Sequence, residues 1–329
     1  MLRRFFSYYK PHKRLFIIDF TSAVIVAILE LAFPVAVQWV LDDLLPGNQW
    51  DQIVIAGFLL FLVYLLSTVL NYVVTYWGHK LGVNIETDMR RDLFHHVQKQ
   101  SFKFFDNTKT GHIMTRITTD LFEIGELAHH GPEDLFIALM TFVGAFAIML
   151  NINFHLGIII LLIVPILIVL ITYSNVKMGE AWQNMYSDVA DINARIEDAV
   201  SGARVVKSFT NEEHEMDEFN KNNHKFRRSK LKAYRVMATV HSSIYMMMRY
   251  VTLGVLIYGS WLVYQGNMSY GGLVAFILFM NVLFKPIEKI SALLEMYPKG
   301  MAGFKRLLAI LDSEPEIKER EDAIDVPTL

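Results

Sequence analysis

Long apolar runs alternate along this chain with polar stretches of two very different lengths. Leu15 to Val40 carries only Asp19 and Glu30 among charged residues, and Ile53 to Trp77 carries no Lys, Arg, Asp or Glu. Leu135 to Val176 is a 42-residue run without any of the four. A helix needs about 20 apolar residues to cross a hydrocarbon core, so that run holds two spans. NINFH, residues 151–155, is the turn between them. Two more spans follow, near Val236–Val263 and Ser269–Phe284. The pattern thus predicts an all-α membrane protein with six spans, near 14–41, 53–78, 135–151, 155–177, 236–264 and 268–286.

Charge then orients the spans. The N-terminal segment, residues 79–134, residues 177–235 and the tail from Lys285 carry 30 of the 31 basic residues. The three remaining connections carry none, and Arg249 alone lies inside a span. The excess of Lys and Arg marks the cytoplasmic side. Both termini and both long loops, of 56 and 59 residues, are expected there. The second loop reads Trp182, Met185, Val189, Ile192, Ile196, Ala199, Ala203 and Val206, a 3,4-spaced seam of coiled-coil type. Span four is therefore expected to run on as one helix far past the headgroups, with a separate helical hairpin as the alternative. The first long loop reverses at Asp106 to Gly111 and the second at Phe209 to Glu213. Each reversal combines an aromatic residue with acids and small polar groups, which suits either docking into a partner's cleft or plain chain reversal.

Other features refine the picture. Leu2, Phe5, Phe6 and Tyr9 share one helical face beside Arg3, Arg4 and Lys10, and Pro11 closes the element. Residues 1–11 are read as an interfacial elbow helix. The first span is too long for a signal-peptide core and no small-residue cleavage site follows it. The absence of cysteine excludes disulfides and thiolate metal sites. The net charge of −2 says nothing of partners, because the charges are sorted by side.

Charged groups inside spans are candidates for function. Glu30 lies about 12 residues from the outer end of its span and Arg249 about 16, depths that differ by roughly 6 Å. Either they pair, directly or across a dimer, or Glu30 attracts cationic amphiphiles, or each faces a wet cavity without a substrate role. Tyr245, Met246, Met247 and Met248 precede Arg249, and methionine suits adaptable apolar surfaces. Glu30, Tyr245, Met246 and Arg249 are the substrate-cavity candidates. Pro34, Pro165 and Pro286 are read as kinks, and Gly78 and Gly82 as a close helix contact. His95–His96 and His129–His130 are read as solvated faces, with no metal site.

Phe105-Asp106, Thr110-Gly111, Arg116 and Asp120 resemble the first intracellular loop of ATP-binding cassette (ABC) exporters, FFD-x-x-x-TG-x-[LIV]-x-[ST]R-x-x-x-D. Ile113 stands at the branched position; Met114 and Thr115 depart from the commonest choices. Glu197, Gly202, Val206-Lys207, Phe209 and Glu212-Glu213 resemble that family's second loop, and FKRLLAILDSEPEI (residues 304–317) its exit from span six. The resemblance implies the type-I exporter fold: six spans extending into the cytoplasm, with coupling helices at the two loop tips. It implies that Asp106, Asn107, Thr108, Lys109, Thr110 and Gly111, with Phe209, Thr210, Asn211 and Glu212, seat in nucleotide-binding domains, while Arg116 and Asp120 brace the returning helix. It also implies a second six-span half as partner, identical or related, a bilayer, and a hydrophobic or amphipathic substrate, with no nucleic acid.

No GxxxxGK[ST] phosphate loop and no LSGGQ-like signature occur in the chain. It is read as a membrane domain over residues 12–311, with residues 312–329 leading toward an absent nucleotide-binding domain. By that reading the chain has no catalytic or cofactor-binding residues of its own. ATP and Mg would be bound by the absent domain, and the full-length protein would be an ATP-hydrolysing translocase of a bacterial plasma membrane. The expected function is ATP-driven export of amphipathic compounds or lipids by alternating access. Alternatives are a lipid flippase or heterodimer half within the family, an ion-gradient-driven secondary transporter, and a non-transporting scaffold.

Overall fold

Helices dominate because the apolar runs hold few residues that break them, and prolines inside the runs do not end them. A computed structural model describes residues 1–316, apart from the side chains of Glu288 and Ser291. The chain order is α1 (Leu2–Ser7), α2 (Lys13–Trp39), a π turn (Val40–Leu44), α3 (Trp50–Gln98), α4 (Phe102–Asn107) and α5 (Thr110–Thr115). A second π turn (Arg116–Asp120) precedes α6 (Leu121–Ile152), α7 (Phe154–Ser201), α8 (Ala203–Ser208), α9 (Glu212–Tyr264) and α10 (Tyr270–Leu311). Among the described residues, six helical stretches are long and apolar enough to cross a membrane, as the hydropathy pattern predicts. The 53 residues of α9 rise about 80 Å, while a bilayer core is about 30 Å thick. The longest helices must therefore overshoot the lipid. Pro34, Pro165 and Pro286 lie within α2, α7 and α10, none of which they end.

The described residues form two compact units, one from residues 1–152 with residues 268–316, the other Asn153–Asn267. In the first unit the core lies at the basic end of the helices. Leu81, Ile85, Met89, Leu93 and Val97 repeat every fourth residue along α3 and form one fully buried ridge. Leu121, Ile124 and Ala128 of α6 and Phe304, Leu307 and Ile310 of α10 close over it. The α1 helix joins this core: Phe5 meets the Phe304 ring edge-on at 5.2 Å, and the Tyr9 hydroxyl donates to the Ala128 carbonyl at 2.5 Å. Leu2 and Phe6 stay exposed, so half of the apolar face read as interfacial is left uncovered. Burial pushes the Tyr9 phenol pKa well up. At the opposite end Asp42 in the first π turn accepts from Ser269 Oγ at 2.5 Å and from the Gly271 amide at 2.8 Å, locking α2 to the start of α10.

The second unit is the α7–α9 pair. Asn153 alone separates α6 from α7; its side chain accepts from the Leu156 amide at 3.0 Å. From Phe154 to Ser201 α7 is one helix of 48 residues, so the extended-helix reading holds over the separate hairpin. Trp182 meets Tyr234 edge-on at 5.5 Å, and Lys225 reaches both Asp188 (3.0 Å) and Asp191 (2.8 Å). The linker expected over 312–329 lies outside the described residues from 317 onward.

Candidate functional site

Two turn-bearing tips and one charged seam carry the functional candidates. In the first tip α4 ends at Asn107, Thr108 and Lys109 are extended, and α5 starts at Thr110. Asp106, Asn107, Lys109, Thr110 and Gly111 are exposed and Thr108 is half-buried. Asn107 Nδ2 donates to the Lys103 carbonyl at 2.8 Å and closes the short helix. Phe102 is 88% exposed, and Phe105 is exposed beside it. Behind the tip the chain dives inward. Ile113 is buried, and the second π turn aims the buried Asp120 at Arg306 of α10, which donates from Nε (2.7 Å) and from a terminal guanidinium nitrogen (2.6 Å). Arg90 Nε donates to the Ile117 carbonyl at 3.0 Å. The arginines at the base are thus Arg306 and Arg90, which motif reading did not single out, while Arg116 is half-buried. Both face a π turn whose buried acid and carbonyls take donors, a pairing that no local motif announces.

In the second tip α7 stops at Gly202, six residues form α8, and Phe209, Thr210 and Asn211 turn the chain into α9. Phe209 is 77% exposed, and Thr210, Asn211 and Val205 are exposed with it. Thr210 has φ +52°, a left-handed conformation costly for a β-branched residue. Lys207 Nζ reaches Glu212 Oε1 at 2.7 Å and holds that carboxyl below its ordinary range. Glu212, Glu213 and Glu215 occupy the first turn of α9, where the helix dipole favours acids. Below the tip Arg195 pairs with Glu215 at 2.7 Å, and the seam parts around an apolar cavity of about 340 Å³ lined by Ile196, Ala199, Met216 and Phe219.

The charged seam lies among the apolar helices of the first unit. Glu30 takes Lys285 Nζ at 2.7 Å. Four residues on, Lys289 pairs with Asp134 of α6. Both lysines border a cavity of about 180 Å³, with Asn71 of α3 and Glu133 of α6 on its wall. Within its own unit Glu30 thus finds a partner on α10. Counting charge-free runs put Lys285 at the inner end of span six, yet α10 continues to Leu311 and presents Lys285 toward α2. Arg249 instead lies over the Tyr245 ring at 5.0 Å, one turn away on α9. Tyr245, Met246 and Arg249 are exposed and line neither of the two cavities.

The histidines also depart from the sequence reading. His129 is buried, and His96 Nε2 meets the Ser313 carbonyl at 2.9 Å, so neither is a solvated face. A Cβ on Gly78 would fall 1.9 Å from His129 Cε1, and one on Gly82 would fall 2.8 Å from the Gly125 carbonyl oxygen. The glycine pair does bring two helices together, and its first member makes room for an imidazole.

Comparison with known proteins bears on the whole arrangement. A family model described as the ABC transporter transmembrane region matches residues 16–287. The chain is 52% identical over its full length to an ABC transporter ATP-binding protein of Bacillus subtilis, YwjA, of which it covers 57%. A second B. subtilis ABC transporter ATP-binding protein, YknV, is 27% identical across 98% of the chain and 54% of the relative. An ATP-dependent lipid A-core flippase of Syntrophus aciditrophicus is 23% identical across all of the chain and 55% of that protein. The chain spans little more than half the length of the curated relatives it matches.

Proposed function

We propose, from the premise that this chain belongs to the ABC transporter transmembrane-region family, that it is the substrate-translocating domain of an ATP-driven exporter. The observation that carries the reading is the pair of exposed tips. Each places a six-residue helix and an uncovered phenylalanine, Phe105 or Phe209, at the end of helices longer than a bilayer requires. Large exposed aromatics set among polar residues suit a protein partner better than water. In this reading the tips are coupling helices, and the groups that seat are those of Asp106–Gly111 and of Phe209–Glu212. Their partners are nucleotide-binding domains carrying ATP and Mg. Both termini face the cytoplasm, as the basic loops suggest, and a second six-span half completes the pathway.

Transport follows from differential binding. ATP closes the nucleotide-binding domains, and closure favours one of two arrangements of the helices, so the tips convert nucleotide state into access from one side or the other. Amphipathic compounds or lipids are the substrate class supported by a seam that sets Lys285, Glu30 and Asn71 around a cavity between apolar helices. A lipid substrate has additional support in the likeness to a lipid A-core flippase.

The experiment is transport by the full natural polypeptide reconstituted in vesicles. Uptake that requires ATP and persists when ion gradients are collapsed supports the exporter reading. Uptake driven by an imposed ion gradient without ATP would overturn it. Replacing both Phe105 and Phe209 by Ser should uncouple the two activities, with ATP hydrolysis persisting while transport falls at least tenfold.

A further inference from the structure

The first unit holds a cluster of ionisable groups that neither the tips nor the seam explains. Asp19 of α2 and His129 and Glu133 of α6 are each at least nine-tenths buried. His129 Nδ1 lies 3.2 Å from Glu133 Oε2 and 3.8 Å from Asp19 Oδ2. Yet Asp19 Oδ1, His129 Nδ1 and Glu133 Oε2 are enclosed without a hydrogen-bond partner among the described residues. No lysine or arginine among those residues pairs with Asp19 or Glu133; the neighbouring Lys289 is committed to Asp134. Two buried carboxylates facing one imidazole with no compensating cation are strongly unfavourable.

We propose that Asp19, His129 and Glu133 form a binding site for a divalent transition cation of the zinc class. Donor atoms of the three residues lie within 4.8 Å of one another. Tetrahedral bonds of about 2.0 Å set donors about 3.3 Å apart, and the two measured separations bracket that value. Two carboxylates neutralise the charge of such an ion, and an imidazole selects it over magnesium or calcium. His79 stands beside the set, its ring 4.7 Å from that of His129. Its Nδ1, 2.6 Å from the Thr75 carbonyl, donates there. A fourth position is open to water. His130, close by, is engaged with Asp134 at 3.3 Å. Glu133 also borders the 180 Å³ cavity, which supplies an entry path. An ion held there would tie α2 to α6 across the Gly78 backbone of α3. This site concerns the resting architecture and does not depend on the exporter reading.

The test uses the full natural polypeptide, purified in detergent through a tag without histidines and stripped with EDTA in the absence of nucleotide. It is loaded with Zn²⁺ or Co²⁺ and desalted. The proposal expects about one ion retained per chain, with zinc-edge X-ray absorption giving imidazole nitrogen and carboxylate oxygen at about 2.0 Å. Asp19→Asn, Glu133→Gln and His129→Gln should each weaken retention at least tenfold, and His95→Gln should leave it unchanged. Gly78→Ala, which crowds the His129 ring, should weaken it as well. If a substituted protein fails to fold, the unsubstituted spectrum decides alone. No retained ion, or equal retention by the Asp19 and Glu133 variants, overturns the proposal. So does an infrared band of a protonated carboxyl that persists on adding Zn²⁺, which would show Asp19 and Glu133 sharing a proton instead.

Discussion

Behind the first tip the chain returns into a buried core, through Ile113, the bidentate Asp120–Arg306 pair and the five-residue ridge of α3. Behind the second, α7 and α9 stand on each other alone within their unit, and the seam opens around a cavity before the turn is reached. The contrast lies in what the seam positions bury. Ile85, Met89 and Leu93 are fully enclosed, whereas Ile196 is 43% exposed. Burial of apolar area is the main source of stability, so the first tip is held by its own unit and the second has less of its own to hold it. A tip that lacks support within its unit is suited to gaining order when a partner covers it.

Substitutions can break or sharpen this contrast. The largest effect is expected for Leu93→Ala, which removes a fully buried side chain and should cost about 3 kcal/mol. The same truncation at Ile196 should cost under about 1 kcal/mol, since little of its burial is lost. Thermal unfolding in detergent compares the two, and equal costs would erase the distinction. Next comes Arg306→Met, which strands the buried Asp120 carboxylate. Because the Arg306 side chain is 49% exposed, about 2 kcal/mol is expected rather than the larger cost of a fully buried pair. Faster proteolysis at the first tip, with the second unchanged, is the expected readout. Thr210→Gly acts in the opposite direction: relieving the left-handed turn should stabilise the second tip by about 0.5–1 kcal/mol.

The smallest effect concerns pH. The Ser229 hydroxyl and then the Lys225 ammonium hold the Asp188 carboxyl below its ordinary value. Its contribution to the α7–α9 pairing is therefore present above the usual carboxylate pKa and is lost as pH falls through the lowered one. Hydrogen exchange along α9 should rise slightly on acidification, and Asp188→Asn should abolish that response.

The sequence made the six spans and both tips legible because each rests on local signals. Charge-free runs fix spans by length, the polar stretches Asp106 to Gly111 and Phe209 to Glu213 mark reversals, and the 3,4 spacing from Trp182 announces a long helix. Partners across helices were not legible in the same way. Lys285 and Lys289 read as the start of a basic tail, because charge counting cannot tell a lysine that meets an acid on a neighbouring helix from one that meets none. His129 read as solvated for a related reason. Its burial depends on the missing Cβ of Gly78, fifty-one residues earlier in the chain. Asp120 was found through a motif, but Arg306, its partner, lies on a helix that begins 150 residues later.

The central claim is that both tips seat in nucleotide-binding domains. This chain has no cysteine, so Phe105→Cys and Phe209→Cys can be labelled individually in a cysteine-free full-length polypeptide. The measurement is the rate of thiol modification with the nucleotide-binding domain present and after its removal. The account expects each position to react at least tenfold more slowly when the domain is present. Equal rates at both positions, with and without the domain, would contradict it.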